Sequence, residues 1–311
     1  MTKKKIAFLF PGQGAQYPQM GKDFYGAFPI AKETFQEADD LLEEKLSKII
    51  FEGPEDLLTE TKYSQTGIFV VSMAILRSAQ KEHPRLIPSV CSGLSLGEYT
   101  ALCASDRLDF ADTLRLVKER ARLMNHACEI TAGTMAAVLG MNGPDVEEAL
   151  RGSDGVWVAN YNAPGQIVIS GTKEGVEKGS RILKERGAKR VLPLSVHGAF
   201  HSGLMKSAQE GLAPYIAKAP IRDSSIEFVM NVPGQFVRSV DEIRKNLACQ
   251  VTQSVKWEQG VEAMKKAGVE FYLEMGCGKT LSGLNRKIGA APSFSIDKVT
   301  DLEGVFKELG L

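Results

Sequence analysis

The chain has 311 residues and no formal net charge, because 38 lysines and arginines balance 38 aspartates and glutamates. This length allows one large core with a smaller attachment. The balanced charge argues against a nucleic-acid-binding protein, which normally carries a basic excess. The apolar stretch 68–76 is about half a membrane span, and no signal peptide is evident. We therefore expect a cytoplasmic protein that binds neither nucleic acid nor a membrane.

The first part of the chain alternates predicted strands and helices. The apolar run 5–10 predicts a buried strand that ends at a turn signal, Pro11-Gly12. Helical patterns follow at 28–48 and 65–80, and later elements are predicted as a strand at 87–92, a helix start at 97–104 and a long amphipathic helix at 110–130. Strands that alternate with helices are typical of an α/β core with a parallel sheet.

The middle of the chain has a different order of predicted strands and helices. It predicts strands at 134–140, 155–160, 166–170 and 190–196, and helices at 145–151 and 176–186. The resulting order, β-α-β-β-α-β, is that of a ferredoxin-like unit. We therefore expect an α/β-hydrolase-like large subdomain with a parallel sheet, formed by 1–128 and 198–311, and an inserted ferredoxin-like small subdomain at 129–197.

A candidate nucleophile lies between a predicted strand and a predicted helix. The segment 93–97 reads Gly-Leu-Ser-Leu-Gly, which fits the G-x-S-x-G motif with Ser95 at its centre. In a strand–turn–helix context the serine stands exposed on a tight bend, and the N–H groups at the start of the helix face developing negative charge. The flanking elements favour this elbow over a plain glycine-rich turn.

A serine nucleophile needs a base within hydrogen-bond reach, and the chain has four histidines. His83 precedes a proline in a charged stretch, and His126 lies in the long predicted helix. His197 and His201 flank three residues at the return from the predicted insertion, and a loop at such a boundary is a common place for catalytic groups. The residues alone therefore leave His197 and His201 as alternatives.

Two further features suit chemistry at a carbonyl group. The glycine-rich turn 11–16 offers main-chain N–H groups for an oxyanion hole, and no lysine follows in the G-x-x-x-x-G-K-[ST] pattern of a phosphate loop. Arg120 lies on an apolar stripe of the predicted helix 110–130 without an acidic neighbour on that helix. A cation buried there needs an anion from elsewhere, either a distant acid of the chain or a substrate carboxylate.

Several segments together resemble the malonyl-CoA:acyl-carrier-protein transacylases of fatty-acid synthesis. They are residues 10–16, 93–98, 116–120, 160–166, 198–202 and 274–278, together with Gln250. These segments extend nearly from end to end of the chain in the order of the family. One departure is Leu94, which stands where the family usually has a histidine before the nucleophile. Because this position lies outside the Ser–His pair, we expect altered packing rather than lost chemistry.

The resemblance implies a role for each candidate residue. Ser95 would be the nucleophile, His201 its base, and Arg120 the clamp for the malonyl carboxylate. The main-chain N–H groups of Gln13 and Leu96 would form the oxyanion hole. Gln250 would hold His201 through its main-chain carbonyl.

The resemblance also implies the reaction and its partners. Malonyl-CoA would acylate the serine, and the thiol of holo-acyl carrier protein would accept the malonyl group, without any metal or redox cofactor. We expect a monomer. Two alternatives use the same sequence features: a serine thioesterase or esterase, which would pass the acyl group to water, and a non-catalytic module that docks a carrier protein. The five scattered cysteines show no metal-binding spacing and are expected to be incidental thiols.

Overall fold

The computed structural model describes residues 4–196 and 198–311. Within these residues the strands are β1 (Ile6–Phe10), β2 (Val90–Gly93), β3 (Thr134–Leu139), β4 (Val156–Ala163), β5 (Gln166–Gly171), β6 (Arg190–Pro193), β7 (Glu227–Met230), β8 (Gln235–Phe236), β9 (Phe271–Met275) and β10 (Ser293–Ile296). The helices are α1 (Lys22–Ala27), α2 (Pro29–Leu42), α3 (Leu46–Glu52), α4 (Glu55–Thr59), α5 (Thr61–Glu82), α6 (Gly97–Ala104), α7 (Phe110–Ile130), α8 (Gly143–Leu150), α9 (Lys173–Glu185), α10 (Lys206–Lys218), α11 (Val240–Gln250), α12 (Trp257–Lys266), α13 (Thr280–Ile288) and α14 (Asp301–Leu309), with a 3₁₀ turn at Gly203–Met205.

A six-stranded sheet with the order β10-β9-β1-β2-β7-β8 forms the centre of the larger part. Its first five strands are parallel, and only the short β8 runs antiparallel to its neighbour. All five residues of β1 are buried, as expected for a parallel strand covered on both faces. In the pairing of β1 with β2, Phe10 lies opposite Gly93, so the turns that follow these two strands start side by side.

The helices predicted for the larger part are present with one clear difference, whereas α1, α4 and α10 to α14 were not predicted. The predicted helices 97–104 and 110–130 are α6 and α7, and the predicted helix 65–80 lies inside the longer α5. The predicted helix 28–48 is instead two helices, α2 and α3. The break falls at Glu43, whose φ of 55° is a left-handed conformation that ends α2.

A second, antiparallel sheet has the order β4-β5-β3-β6. Its strands and helices α8 and α9 follow one another in the predicted order, although the last strand ends at Pro193 rather than at 196. Apolar residues of this sheet and of both helices form their own cluster, which includes Val138, Ile169 and Leu183. The fold is therefore α/β, with one mostly parallel and one antiparallel sheet.

The chain enters and leaves the second sheet at neighbouring points. A Cβ atom added to Gly133, just before β3, would lie 2.6 Å from the Cβ of Ala199, just after this part ends. Residues 199–201 therefore return directly beside the end of α7. Among the described residues, none of the helices combines the length and the apolar character that a membrane span needs.

Candidate active site

The turn between β2 and α6 holds Ser95 in a constrained conformation. Ser95 has a φ of 54°, which L-residues other than glycine rarely adopt. Its N–H donates to Oδ1 of Asn231 at 2.7 Å, which helps to hold this backbone in place. Cβ atoms at Gly93 and Gly97 would lie 2.1 Å from the carbonyl oxygen of Gly97 and 2.0 Å from that of Phe10. Both glycines of the motif are therefore required by close backbone contacts.

The structure brings Ser95 and His201 together. Oγ of Ser95 lies 2.8 Å from Nε2 of His201, and Nδ1 of His201 lies 2.8 Å from the main-chain carbonyl oxygen of Gln250. A carbonyl can only accept, so Nδ1 carries the proton and Nε2 is free to accept from the serine hydroxyl. Burial, aided by the positive charge of Arg120, lowers the pKa of His201 to about 4. The imidazole is therefore neutral at pH 7, which is the state that a general base needs.

The other histidines differ in their surroundings. His197 lies outside the described residues. His126 is exposed and lies 3.6 Å from a carboxylate oxygen of Glu129, and the ring of His83 packs against Phe306. A cavity of about 530 Å³ borders His201 between the second sheet and α10, with Trp157 and Gln209 in its lining. The buried imidazole can thus be reached from outside.

Arg120 is buried beside Ser95. Its Nη2 donates to Oγ of Ser95 at 3.0 Å and to Oε1 of Gln250 at 2.8 Å, and its Nη1 donates to Oε1 of Gln65 at 2.6 Å. The guanidinium also lies 5.2 Å from the ring centre of Tyr99. No carboxylate oxygen of the described residues lies within 4 Å of it, and its Nε–H has no partner there. Burial lowers the pKa of Arg120, as expected for a cation that lacks a paired anion.

Gln65, which the sequence analysis did not single out, connects Arg120 to the glycine-rich turn. Its Nε2 donates to Oε1 of Gln13 at 3.2 Å while its Oε1 accepts from Arg120. The side chain of Gln13 donates in turn to Oγ1 of Thr61 at 3.2 Å. Gln65 is completely buried in α5. The sequence holds no clear signal for it, because Gln65 lies among polar residues before the apolar stretch 68–76 and its partners are distant in the chain.

Glu98 and Asn231 are two further buried residues that the sequence analysis missed. Oε1 of Glu98 accepts from the N–H of Asn231 at 2.6 Å, and Oε2 accepts from Nε2 of Gln250 at 2.5 Å. Burial raises the pKa of Glu98 to about 7, although these two donors and Arg120 lower it. Nδ2 of Asn231 donates to the carbonyl of Gly93 at 2.8 Å, which connects the end of β7 to the turn 93–97 that carries Ser95, called the nucleophile turn below.

The glycine-rich turn packs directly on the nucleophile turn. A Cβ atom at Gly12 would lie 2.4 Å from the carbonyl oxygen of Leu94, so the two turns are in contact. Within the described part of the chain, the main-chain N–H groups of Gln13 and Leu96 have no hydrogen-bond acceptor. Free N–H groups beside a nucleophile can stabilise an oxyanion. In the same residues no group of three or more His, Cys, Asp or Glu side chains could hold a metal ion.

A serine on a strand–helix turn, paired with a neutral histidine and flanked by unpaired N–H groups, is an arrangement typical of enzymes that form an acyl-serine. Residues 7–271 match the acyl transferase domain family, so the chain belongs to that family and is an acyltransferase. The predicted family resemblance is confirmed.

Curated relatives and solved structures agree with this assignment. The malonyl CoA-acyl carrier protein transacylase of Bacillus subtilis (strain 168) is 41% identical over 288 residues, which cover 91% of this chain and 90% of that protein. The acyl-carrier-protein-S-malonyltransferase of Bartonella henselae superposes with a TM-score of 0.93 at 36% identity and covers 99% of this chain and 100% of that one. A malonyl-transacylase solved in complex with its type II PKS acyl-carrier protein has a TM-score of 0.93 at 34% identity, covering 98% and 100%.

Proposed function

We propose that this chain transfers a malonyl group from malonyl-CoA to the pantetheine thiol of holo-acyl carrier protein in fatty-acid biosynthesis. The observation that carries the proposal is the position of Arg120. Its guanidinium contacts Oγ of Ser95, is buried, and has no carboxylate within 4 Å among the described residues. A malonyl group on Ser95 would carry its carboxylate only three bonds from Oγ. The acyl group would therefore supply the missing anion.

The first half-reaction acylates Ser95. Neutral His201, held by the carbonyl of Gln250, takes the proton from Oγ as the serine attacks the thioester carbonyl. The tetrahedral oxyanion accepts from the N–H groups of Gln13 and Leu96, where one donor contributes about 3 kcal/mol. The C–S bond then breaks, and the CoA thiolate leaves with the proton from His201.

The second half-reaction reverses these steps with a different thiol. His201 takes the proton from the pantetheine thiol of the carrier, and the thiolate attacks malonyl-Ser95. The oxyanion forms at the same N–H groups, and Oγ leaves with the proton from His201. The carrier-bound relative supports a carrier protein as the acceptor, since a chain of the same fold binds an acyl-carrier protein. Every step uses groups of this chain, so the proposal includes no metal or redox cofactor.

The proposal also includes the finer architecture. The larger part, 1–128 and 198–311, would be an α/β-hydrolase-like subdomain around the parallel sheet. Residues 129–197 would be a ferredoxin-like subdomain, supported by its β-α-β-β-α-β order and by β3 lying between β5 and β6. We expect the enzyme to act as a cytoplasmic monomer.

Mass spectrometry of the intact protein tests the proposal. Mixing the enzyme with malonyl-CoA should add one malonyl group, and adding holo-acyl carrier protein should move that group to the carrier. Ser95→Ala should show neither event. A thioesterase would instead release free malonate without a carrier, and a docking module would form no adduct. Either of these results, or a stable adduct on another residue of Ser95→Ala, would overturn the proposal.

A further inference from the structure

The side-chain amide of Gln250 has a fixed orientation in the site. Its Nε2 donates to Oε2 of Glu98 at 2.5 Å and to the carbonyl oxygen of Ser95 at 2.9 Å. Its Oε1 accepts from Nη2 of Arg120 at 2.8 Å. Gln250 is completely buried, so no solvent competes for these contacts. The oxygen and the NH₂ group of the amide therefore have different partners. If the amide were turned around, Arg120 would face the NH₂ group instead of the oxygen.

Glu98 can distinguish the two ends of this amide. Both oxygens of Glu98 accept hydrogen bonds in this arrangement, as those of an ionised carboxylate do, and a carboxylate in that form cannot donate. One of its oxygens already accepts from the N–H of Asn231 at 2.6 Å, and the other requires a donor from Gln250. With the NH₂ group turned to Glu98, the amide oxygen has to face Arg120. In the opposite orientation, the NH₂ group would meet the N–H groups of Arg120, and the oxygen would meet the carboxylate.

We propose that Glu98 is a positioning residue for Arg120 and acts through the amide of Gln250. This inference depends on the proposed function, because it concerns how Arg120 receives the malonyl carboxylate. Glu98 orients the amide, the amide oxygen holds Nη2, and Nη2 stays beside Oγ of Ser95. Glu98 thus contributes to the choice of a carboxylated acyl group without touching it.

Glu98→Gln tests this role because it keeps the shape and removes one acceptor. The single oxygen of the new amide can serve Asn231 or Gln250, but not both. If it stays with Asn231, its NH₂ group faces Gln250 and turns that amide around. We expect kcat/KM for malonyl-CoA to fall about tenfold relative to that for acetyl-CoA, since a charge-assisted hydrogen bond is affected. Most of the loss should be a higher KM for malonyl-CoA.

Glu274→Gln is the matched control. Glu274 is also a completely buried carboxylate that accepts two main-chain N–H groups, from Leu281 and Ser282 at 3.0 and 2.8 Å. Its replacement should lower the melting temperature but leave the ratio of malonyl-CoA to acetyl-CoA activity at the parent value. A shift of this ratio as large as in Glu98→Gln would show that any buried carboxylate affects it, and would overturn the proposal.

Gln250→Met provides a second, independent test. It removes the amide but keeps the main-chain carbonyl that holds His201. The ratio of malonyl-CoA to acetyl-CoA activity should fall, and adding Glu98→Gln should lower it no further, because the two residues act in series. Additive losses in the double variant would contradict the proposal. If Glu98→Gln does not fold, Gln250→Met alone decides, and an unchanged ratio of malonyl-CoA to acetyl-CoA activity in that variant would also contradict the proposal. If the parent forms malonyl-Ser95 but only Arg120→Ala changes the ratio, the proposed function stands and the role of Glu98 falls.

Discussion

The guanidinium nitrogen Nη2 of Arg120 lies 3.0 Å from Oγ of Ser95, so the candidate nucleophile and a buried cation are in direct contact. The cation favours an ionised oxygen at this position, and it also lowers the pKa of His201. Arg120 therefore affects the nucleophile, the base and the expected substrate carboxylate.

Arg120→Ala should reduce malonyl transfer far more than acetyl transfer. Losing one member of a buried charge pair costs about 2–5 kcal/mol, whereas acetyl-CoA has no carboxylate to leave unpaired. The measurement is kcat/KM for both thioesters. Arg107→Ala is the control, because Arg107 is also buried and donates to the carbonyl of Ile226 at 2.8 Å, away from Ser95. Equal losses for both substrates in Arg120→Ala would make this arginine a structural cation.

The acylation rate should resist acidification. His201 has a pKa lowered to about 4, so it stays neutral, and able to accept a proton, until the pH falls through this value. A solvated histidine would lose activity near pH 6.5. Acetyl-CoA is the better substrate for this measurement, because it has no carboxylate for Arg120 to bind. The rate of acylation by acetyl-CoA therefore depends less on the ionisation of Glu98, whose pKa is raised to about 7. A rate that declines around pH 6.5 would contradict a buried neutral base.

Gly12→Ala should slow acylation strongly. The added Cβ would lie 2.4 Å from the carbonyl oxygen of Leu94, so the glycine-rich turn has to move away from the nucleophile turn. Losing one oxyanion donor reduces kcat by about 10²–10³-fold. Single-turnover formation of malonyl-Ser95 is the measurement. Gly26→Ala is the control in α1, where no atom outside the adjacent residues and the local helix backbone lies within 4 Å of the new Cβ. If Gly12→Ala is acylated as fast as the parent, the N–H group of Gln13 is not part of the oxyanion hole.

Leu94→His tests the one departure from the family pattern. The side chain of Leu94 is half-buried and packs against the apolar cluster that contains Leu9 and Val90. Leu94 takes part in none of the hydrogen bonds of Ser95 and His201 described above. The steady-state rate of malonyl transfer should therefore differ from that of the parent by no more than several-fold, as expected for a packing change. A large gain in kcat would show that the natural chain lacks a working catalytic group.

The sequence predicted those parts of the fold that depend on local patterns. The G-x-S-x-G turn, α6, α7 and the order of elements around the second sheet all follow from spacing within about 20 residues. The break between α2 and α3 was missed, because one left-handed residue, Glu43, interrupts an otherwise helical pattern. Residues from 203 onward received no predicted elements.

The site was less accessible to sequence reasoning for a different reason. The residues alone left His197 and His201 open, and the structure places His201 against Ser95, 106 positions away in sequence. Gln65, Glu98 and Asn231 gained meaning only from contacts between distant segments, such as the bond between Asn231 and Ser95 across 136 positions. Periodicity describes neighbours on one element and carries no information on such pairs. The catalytic roles of the site residues stay predictions.

The pairing of β1 with both β2 and β9 has a consequence for synthesis of the protein on the ribosome. Ser95 is made in the first third of the chain, but its N–H needs Asn231, and His201 needs the carbonyl of Gln250. The central strand β1 also stays unpaired on one side until β9, at Phe271–Met275, has left the exit tunnel. The segment around Ser95 is therefore synthesised long before the residues that hold it and His201 in place. The hydrogen bonds that hold Ser95 and His201 in place can therefore form only after most of the chain has been made.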